Sequence, residues 1–287
     1  MRSFLFVPAD SERKIAKAMA SSADALVLDL EDAVLPEGKP LARQLLAGLR
    51  QWKDPRRRVW VRINEPGSAE LLADLVAVAP LQPAGVVLPK IRGPEDVRTL
   101  SDYLTMAEAV HGIAAGSTKI IAVCTETPLA VLRMAELAQA ELPRLAGLMW
   151  GGEDLSSALG ADDPRATGGS WRPAYEFART QCLLAARALD VLAIDTVYVD
   201  VKDSEGCRRS AREARADGFD AKIAIHPEQA VLINEEFRVS EAQIDRARRI
   251  VSAFAGGSGA LLFEGRMLDT PHLKAAQRLL RAAASLP

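Results

Sequence analysis

The chain has 287 residues, which exceeds one average domain but suits a single α/β barrel. Its 36 basic residues nearly balance its 38 acidic ones, so charge favours neither nucleic acid nor an acidic membrane surface as a partner. Three cysteines without paired spacing argue against a disulfide scaffold or a zinc site and fit a reducing compartment. No apolar stretch approaches the roughly 18 residues of a membrane span, and the first apolar run is too short for a signal peptide. We therefore expect a cytoplasmic protein.

Short apolar runs alternate with amphipathic stretches along the chain, as expected for parallel strands that are covered on both faces. The predicted strands are Ser3–Pro8, Ala25–Asp32, Val59–Asn64, Gly85–Lys90, Lys119–Glu126, Leu145–Trp150, Ala193–Val199 and Ala221–His226. The predicted helices are Ser11–Ser21, Pro40–Trp52, Ala69–Ala79, Asp96–His111, Leu129–Glu141, Tyr175–Leu189, Cys207–Asp217 and Pro227–Asn234.

Eight strand–helix units in this order predict a (β/α)8 barrel, also called a TIM barrel. A doubly wound α/β sheet is the alternative, and it would need a glycine-rich phosphate loop after the first strand. That strand is followed by Pro8–Ser11, which contains no glycine. The barrel is therefore the favoured architecture.

The C-terminal tail exceeds what a barrel needs. We expect a catalytic barrel over residues 1–239 and a C-terminal helical extension or lid over residues 240–287. The tail holds a predicted helix (Glu241–Phe254), a glycine hinge (Gly256–Gly259), an apolar segment (Ala260–Phe263) and a last helix from Pro271. A lid, an oligomer arm and a helix packed on the outside of the barrel all remain open.

Charged side chains close many of the predicted strands. They are Asp29, Glu31, Asp32, Arg62, Lys90, Glu126, Asp154, Asp200 and His226. The carboxyl ends of all strands in a barrel meet at one mouth, where barrel enzymes keep their chemistry. We therefore expect at least three carboxylates to face Arg62 and Lys90 at one rim.

Glu126 and Asp154 follow successive apolar runs, and two such carboxylates suit a hard divalent cation such as Mg²⁺. The alternative is that each residue only caps the helix that follows it. Arg62 offers a planar fork of donors to a carboxylate or a developing enolate oxygen. A metal and this cation together suit carbon–carbon cleavage beside a carbonyl. A lone histidine before proline, such as His226, is more often structural than catalytic.

The sequence resembles the citrate lyase beta-subunit family, within the wider group of malyl-CoA and citramalyl-CoA lyases and related metal-dependent aldolases. The resemblance covers almost the whole chain and depends on the order of several short motifs. These are Asp29–Val34 with Lys39 and Arg43 downstream, Val61–Asn64, Leu88–Lys90, Glu126–Pro128, Gly151–Leu155, Ile225–Pro227 and Gly265–Pro271.

The resemblance implies a (β/α)8 barrel that binds Mg²⁺, or Mn²⁺ in its place, and acts on a CoA thioester and a 2-keto acid. It implies that Glu126 and Asp154 are metal ligands, with Glu126 also near the substrate, and that Arg62 is the substrate-binding cation. Asp269 is implied as the acid/base that a lid brings in, often from a neighbouring subunit.

The remaining implied roles concern substrate binding. Asp29, Glu31 and Asp32 would shape the mouth, whereas Lys39 and Arg43 would contact the CoA phosphates. We expect a homo-oligomer, a trimer or hexamer, with neither nucleic acid nor membrane as partner.

The expected reaction is Mg²⁺-dependent cleavage or formation of a 3-hydroxyacyl-CoA such as citramalyl-, malyl- or citryl-CoA. Its products would be pyruvate, glyoxylate or oxaloacetate and acetyl-CoA. Two alternatives remain open: an aldolase on free 2-keto acids without CoA, and the beta subunit of a citrate lyase complex that acts on citryl-acyl carrier protein.

Overall fold

The computed structural model describes residues 1–49, 58–167, 169–257 and 259–284. The chain divides into two compact units, one of residues 2–237 and the other of Met1 with residues 238–287. The predicted boundary between residues 239 and 240 lies next to this division. Among the described residues, no helix has the length and apolar character that crossing a membrane requires.

The first unit is a closed barrel of eight parallel strands in sequential order, so the predicted fold is confirmed. Its strands are β1 (Ser3–Pro8), β2 (Ala25–Asp29), β3 (Arg58–Arg62), β4 (Gly85–Leu88), β5 (Lys119–Val123), β6 (Leu145–Met149), β7 (Leu192–Asp195) and β8 (Ala221–Ala224). The barrel closes where β1 pairs with β8, with Ser3 opposite Lys222.

Helices connect these strands. They are α1 (Glu12–Met19), α2 (Lys39–Gly48), α3 (Leu71–Val78), α4 (Pro94–Val110), α5 (Pro128–Leu132), α6 (Met134–Ala138), α7 (Gly152–Leu159), α8 (Pro173–Ala188), α9 (Ser204–Asp217) and α10 (Pro227–Glu236). All five residues of β2 are buried, as expected for a strand covered on both faces. The carboxyl ends of the strands, at or just beyond which Asp29, Arg62 and Glu126 lie, therefore meet at one mouth.

Several predicted boundaries are wrong for local physical reasons. The second strand ends at Asp29 rather than Asp32, because the Asp29 carboxylate accepts hydrogen bonds from the backbone N–H groups of Glu31 (2.9 Å) and Ala33 (3.3 Å) and turns the chain. The fifth helix is two short helices, since Arg133 between them departs from helical geometry at φ −99° and ψ 13°. The predicted helix Pro40–Trp52 extends into residues 50–57, which lie outside the described residues.

The second unit contains α11 (Glu241–Phe254), the hairpin strands β9 (Ala260–Phe263) and β10 (Arg266–Asp269), and α12 (Thr270–Ala284). The two predicted tail helices are present, and the apolar segment Ala260–Phe263 forms a strand of this hairpin. The hairpin turns through Glu264 and Gly265, which both have positive φ, as a tight two-residue turn requires. Within the predicted hinge, Ser258 lies outside the described residues.

Candidate active site

A cavity of about 320 Å³ opens among the carboxyl ends of the barrel strands. Its lining residues are Phe6, Val7, Pro8, Asp29, Ala33, Arg62, Val123, Glu126, Trp150, Gly151, Gly152, Glu153, Asp154, Thr196, Val197, Ile223 and Ile225. Most of the wall is apolar, and the charged groups are concentrated in a few side chains. The cavity thus brings Asp29, Arg62, Glu126 and Asp154 together, all of which are predicted site residues.

Glu126 lies three residues beyond the end of β5 and is 95 % buried. One of its carboxylate oxygens, Oε2, accepts a hydrogen bond from the backbone N–H of Lys90 at 2.5 Å. Space for the carboxylate depends on Gly151, because a Cβ at that position would lie 2.8 Å from Cγ of Glu126. The helix that follows is capped by Thr127, so the alternative that Glu126 is only a helix cap is wrong.

Asp154 lies in the first turn of α7, whose N-cap position is occupied by Gly151. The alternative that Asp154 is the N-cap is therefore also wrong. Burial, followed by repulsion from the Asp154 carboxylate, raises the pKa of Glu126 to about 8. Both side chains line the same cavity, where like charges oppose each other.

The donors present fit a hard divalent cation with open coordination positions. Among the described residues there is no group of three or more histidine, cysteine, aspartate or glutamate side chains arranged for a metal. A pair of carboxylates is the donor set that Mg²⁺ uses when water and substrate oxygens supply the remaining ligands. A cation between Glu126 and Asp154 would also relieve the repulsion that raises the pKa of Glu126.

Arg62, the last residue of β3, is held by two carboxylates. Its Nε donates to Asp29 Oδ1 at 2.8 Å and its Nη2 to Asp29 Oδ2 at 2.5 Å. Its Nη1 lies 3.0 Å from Glu31 Oε2. Burial disfavours the charged guanidinium, but the charges of Asp29 and Glu31 outweigh burial and raise the pKa of Arg62. Arg62 therefore remains a fixed cation at the cavity wall.

Glu31 and Asp32 do not line the cavity but lie beside it with Lys90. The Lys90 ammonium is 2.7 Å from Glu31 Oε1 and 2.8 Å from Asp32 Oδ2. The Glu31 side chain is buried, whereas that of Asp32 is half exposed. Substrate contact by these two residues stays a prediction.

The two basic residues predicted to contact CoA phosphates already have partners in the barrel. Lys39 donates to Asn64 Oδ1. Arg43 donates to the buried Asp74 carboxylate at 2.8 Å and also pairs with Glu70. Neither residue lines the cavity, and their contact with CoA stays a prediction.

Asp269 belongs to the second unit and has an exposed side chain at the end of β10, directly before α12. Its Oδ1 lies 2.5 Å from Nδ1 of His272. The catalytic role of Asp269 stays a prediction. His226 is the N-cap of α10, with its side chain accepting from the Glu228 N–H at 3.4 Å, which is the structural role expected of it.

Sequence reasoning missed a buried polar cluster behind the cavity wall. The Asp195 carboxylate accepts from Trp150 Nε1 at 2.7 Å, from Lys222 Nζ at 2.6 Å and from Arg179 Nε at 3.0 Å. Trp150 lines the cavity, so Asp195 fixes part of the wall. The one sequence feature that could have indicated this cluster is Lys222, a charged residue within an otherwise apolar strand.

Comparison with known proteins identifies the family. The family model described as HpcH/HpaI aldolase/citrate lyase matches residues 2–227. The chain therefore belongs to the HpcH/HpaI aldolase/citrate lyase family, and the resemblance noted from its motifs is confirmed.

The similarity to several relatives extends over nearly the whole chain. A citrate lyase subunit beta-like protein of Mycobacterium tuberculosis is 39% identical, covering 98% of this chain and 94% of its own. The mouse mitochondrial citramalyl-CoA lyase is 32% identical, and the alignment covers 99% of this chain and 86% of the lyase. The (3S)-malyl-CoA thioesterase of Cereibacter sphaeroides is also 32% identical, covering 99% and 95%.

A similar solved structure is the crystal structure of CitE from Mycobacterium tuberculosis in complex with magnesium, acetoacetate and coenzyme A. The two structures superpose with a TM-score of 0.78 at 37% sequence identity. The superposition covers 99% of this chain and 98% of the CitE chain. These comparisons confirm the prediction of an enzyme from a lyase family.

The raised pKa of Glu126 predicts a pH-dependent stability in metal-free protein. The folded state keeps this carboxyl neutral up to about pH 8, whereas its ordinary pKa is 4.5. The stability contributed by the neutral group is therefore complete below about pH 4.5 and is lost as the pH rises to about 8. Glu126→Gln cannot ionise, so the variant should become more stable than wild type by a few kcal/mol towards pH 9.

The measurement is the free energy of unfolding from pH 5 to 9 in the presence of a chelator. Glu136→Gln is the control, because Glu136 is exposed and its pKa is lowered by Arg133. Parallel pH profiles for wild type and Glu126→Gln would contradict the raised pKa.

Proposed function

We propose that the protein is a Mg²⁺-dependent carbon–carbon lyase acting on a 3-hydroxyacyl-CoA thioester. The products are a 2-keto acid and acetyl-CoA or a homologue. The observation that carries this proposal is the convergence of Glu126, Asp154 and the partly buried cation Arg62 on one largely apolar cavity. The presence of magnesium, acetoacetate and coenzyme A in the similar CitE crystal structure supports it.

Glu126 and Asp154 would hold the metal ion. When bound, the ion supplies a Lewis acid for the oxygen atoms of the keto acid and favours the ionised form of Glu126. The hydrogen bond from the Lys90 N–H orients one carboxylate oxygen of Glu126. The Gly151 backbone leaves room for that side chain. The protein thereby fixes the donor set before substrate arrives.

Arg62 stabilises the negative charge that develops on the thioester. Two of its five N–H donors bond to Asp29, and its Nη1 forms an ion pair with Glu31, so donors remain for the substrate. The two carboxylates hold the guanidinium plane in a single orientation. A preorganised donor needs little rearrangement when the enolate forms, and this is the main source of its catalytic value.

In the cleavage direction, the bond between C2 and C3 of the acyl group breaks. The hydroxyl on C3 gives its proton to solvent water in the open cavity as the keto acid's carbonyl forms, and the electrons of the C2–C3 bond move to the thioester as an enolate. Asp269 in its protonated form then donates a proton to the enolate carbon and regains one from solvent, so that protons balance. In the direction of synthesis, ionised Asp269 removes that proton from the carbon. This role rests on the family motif Gly265–Pro271 and on the exposure of the Asp269 side chain.

The substrate class can be tested with a panel of citramalyl-, malyl- and citryl-CoA in the presence of Mg²⁺. We expect equal amounts of keto acid and acyl-CoA from at least one substrate, and no turnover after chelation. Release of free CoA without a keto acid would identify a thioesterase instead. Equal cleavage of the free hydroxy acids would favour an aldolase without CoA, and cleavage confined to citryl-acyl carrier protein would favour a citrate lyase subunit.

The geometry of Arg62 predicts that a positive charge without the planar guanidinium does not support normal catalysis. Lysine at this position keeps the charge but loses the planar fork that binds both Asp29 oxygens. We expect Arg62→Lys to lower kcat by about a hundredfold or more, close to the effect of Arg62→Ala. The measurement is steady-state kinetics. The control is Arg212→Lys, since Arg212 is exposed and paired with Glu236. Near-normal kcat in Arg62→Lys would mean that a point charge suffices.

We further propose that Asp269 completes the active site of a neighbouring subunit in a homo-oligomer. Glu126→Gln and Asp269→Asn should each be inactive alone. Mixed under conditions of subunit exchange, they should regain part of the activity, because some sites then combine an intact metal site with an intact tail. Failure to regain activity in oligomers that are demonstrably mixed would contradict action across subunits.

A further inference from the structure

Lys90 has an unusual backbone conformation for its residue type. Its φ of +51° lies in the left-handed region, which residues with a Cβ rarely adopt outside turns. The other such non-glycine residues in the described part of the chain are Gln82, Asp190 and Glu264, which follow helices or form the hairpin turn. Lys90 instead lies just beyond β4, beside the cavity residue Glu126. Strained backbone at such a place is a common feature of functional sites.

The backbone of Lys90 contacts the proposed metal site. Its N–H donates to Glu126 Oε2 at 2.5 Å, and Glu126 is almost fully buried. A hydrogen bond from a fixed amide orients a carboxylate more strictly than one from a flexible side chain does. Residues that orient metal ligands in this way often control metal affinity.

The side chain of Lys90 contacts the substrate-binding cation indirectly. The ammonium is 2.7 Å from Glu31 Oε1, and the other oxygen of the same carboxylate is 3.0 Å from Arg62 Nη1. Glu31 is therefore shared by Lys90 and Arg62. The second partner of Lys90, Asp32, is half exposed and contributes less to its position.

The left-handed conformation connects these two contacts. Rotation about the N–Cα bond sets the direction of the side chain relative to the amide N–H. At φ +51° the amide of Lys90 reaches Glu126 while its ammonium reaches Glu31. With a negative φ and the amide in the same position, the side chain would point in a different direction and the ammonium would lose its contact with Glu31.

We propose that Lys90 is a positioning residue that aligns Glu126 through its backbone and Arg62 through its side chain. The inference rests on the proposed function, in which Glu126 holds Mg²⁺ and Arg62 binds substrate. It adds that the left-handed backbone of one residue sets the relative placement of these two groups.

The side-chain contribution is tested with Lys90→Met in the full-length protein. This variant should lower kcat/KM by about tenfold or more, because Glu31 loses the ammonium that helps to fix it and therefore holds Arg62 less strictly. Its affinity for Mg²⁺ in the absence of substrate should remain within about threefold of wild type, since the backbone N–H is retained. Lys90→Arg, which keeps a cation, should recover part of the loss. Arg212→Met removes an exposed ion pair with Glu236 and is the matched control.

The backbone contribution is tested by comparing Lys90→Gly with Lys90→Val. Both lack the ammonium, but glycine adopts a positive φ freely and β-branched valine strongly resists it. Calorimetric titration of the substrate-free variants with Mg²⁺ should give about tenfold weaker binding for valine than for glycine. If the valine variant does not fold, Lys90→Ala should differ from Lys90→Gly in the same direction.

Two results would overturn the inference. One is equal Mg²⁺ affinity in the glycine variant and its valine or alanine counterpart, and the other is wild-type kcat/KM in Lys90→Met. A lowered melting temperature with unchanged kinetics and metal affinity would likewise mean that Lys90 has only a structural role. If wild-type protein binds no Mg²⁺, the proposed function and this inference fail together, whereas normal wild-type binding with unaffected variants removes the inference alone.

Discussion

The repulsion between two acidic side chains, Glu126 and Asp154, is the constraint on which the rest of the active site depends. Burial and this repulsion hold the pKa of Glu126 near 8 in the metal-free barrel. Such an arrangement costs folding free energy unless a cation or a proton is present. A divalent ion bound between these two carboxylates would offset this cost.

The cations around the cavity are arranged so that they do not neutralise this pair directly. The charge of Arg62 is directed to Asp29 and Glu31, and that of Lys90 to Glu31 and Asp32. Glu126 receives only an uncharged donor, the Lys90 N–H. The cations thus leave Glu126 without a charged hydrogen-bond donor, while the guanidinium of Arg62 remains fixed beside the cavity. This separation suits a reaction in which one fragment is chelated and the other becomes an enolate.

Much of the architecture could be predicted from the sequence, because apolar strands of a parallel barrel have a strong local signal. The same signal located Glu126 and Arg62 at strand ends, and their proximity then followed from the barrel itself. Glu126 and Asp154 both line the cavity at the barrel mouth, whereas several predicted strand boundaries were wrong. Asp29, for example, ends its strand through a side-chain contact that the apolar pattern does not reveal.

Features that depend on contacts distant in the chain were not predictable. Lys222 and Asp195 form a buried pair between β7 and β8, although each lies in an otherwise apolar run. The left-handed backbone of Lys90 and its hydrogen bond to Glu126 likewise depend on the folded loops. Asp269 was found through the resemblance to a family, since its own surroundings contain no distinctive pattern.

The most direct test of the account is the stoichiometry of divalent cation binding, measured by Mn²⁺ electron paramagnetic resonance on substrate-free protein. One ion per chain should bind to the wild type, and Mg²⁺ should displace it. The double variant Glu126→Gln, Asp154→Asn should bind none in the same concentration range while remaining folded. Undiminished binding of one ion by the double variant would contradict the assignment of these two carboxylates as the metal site.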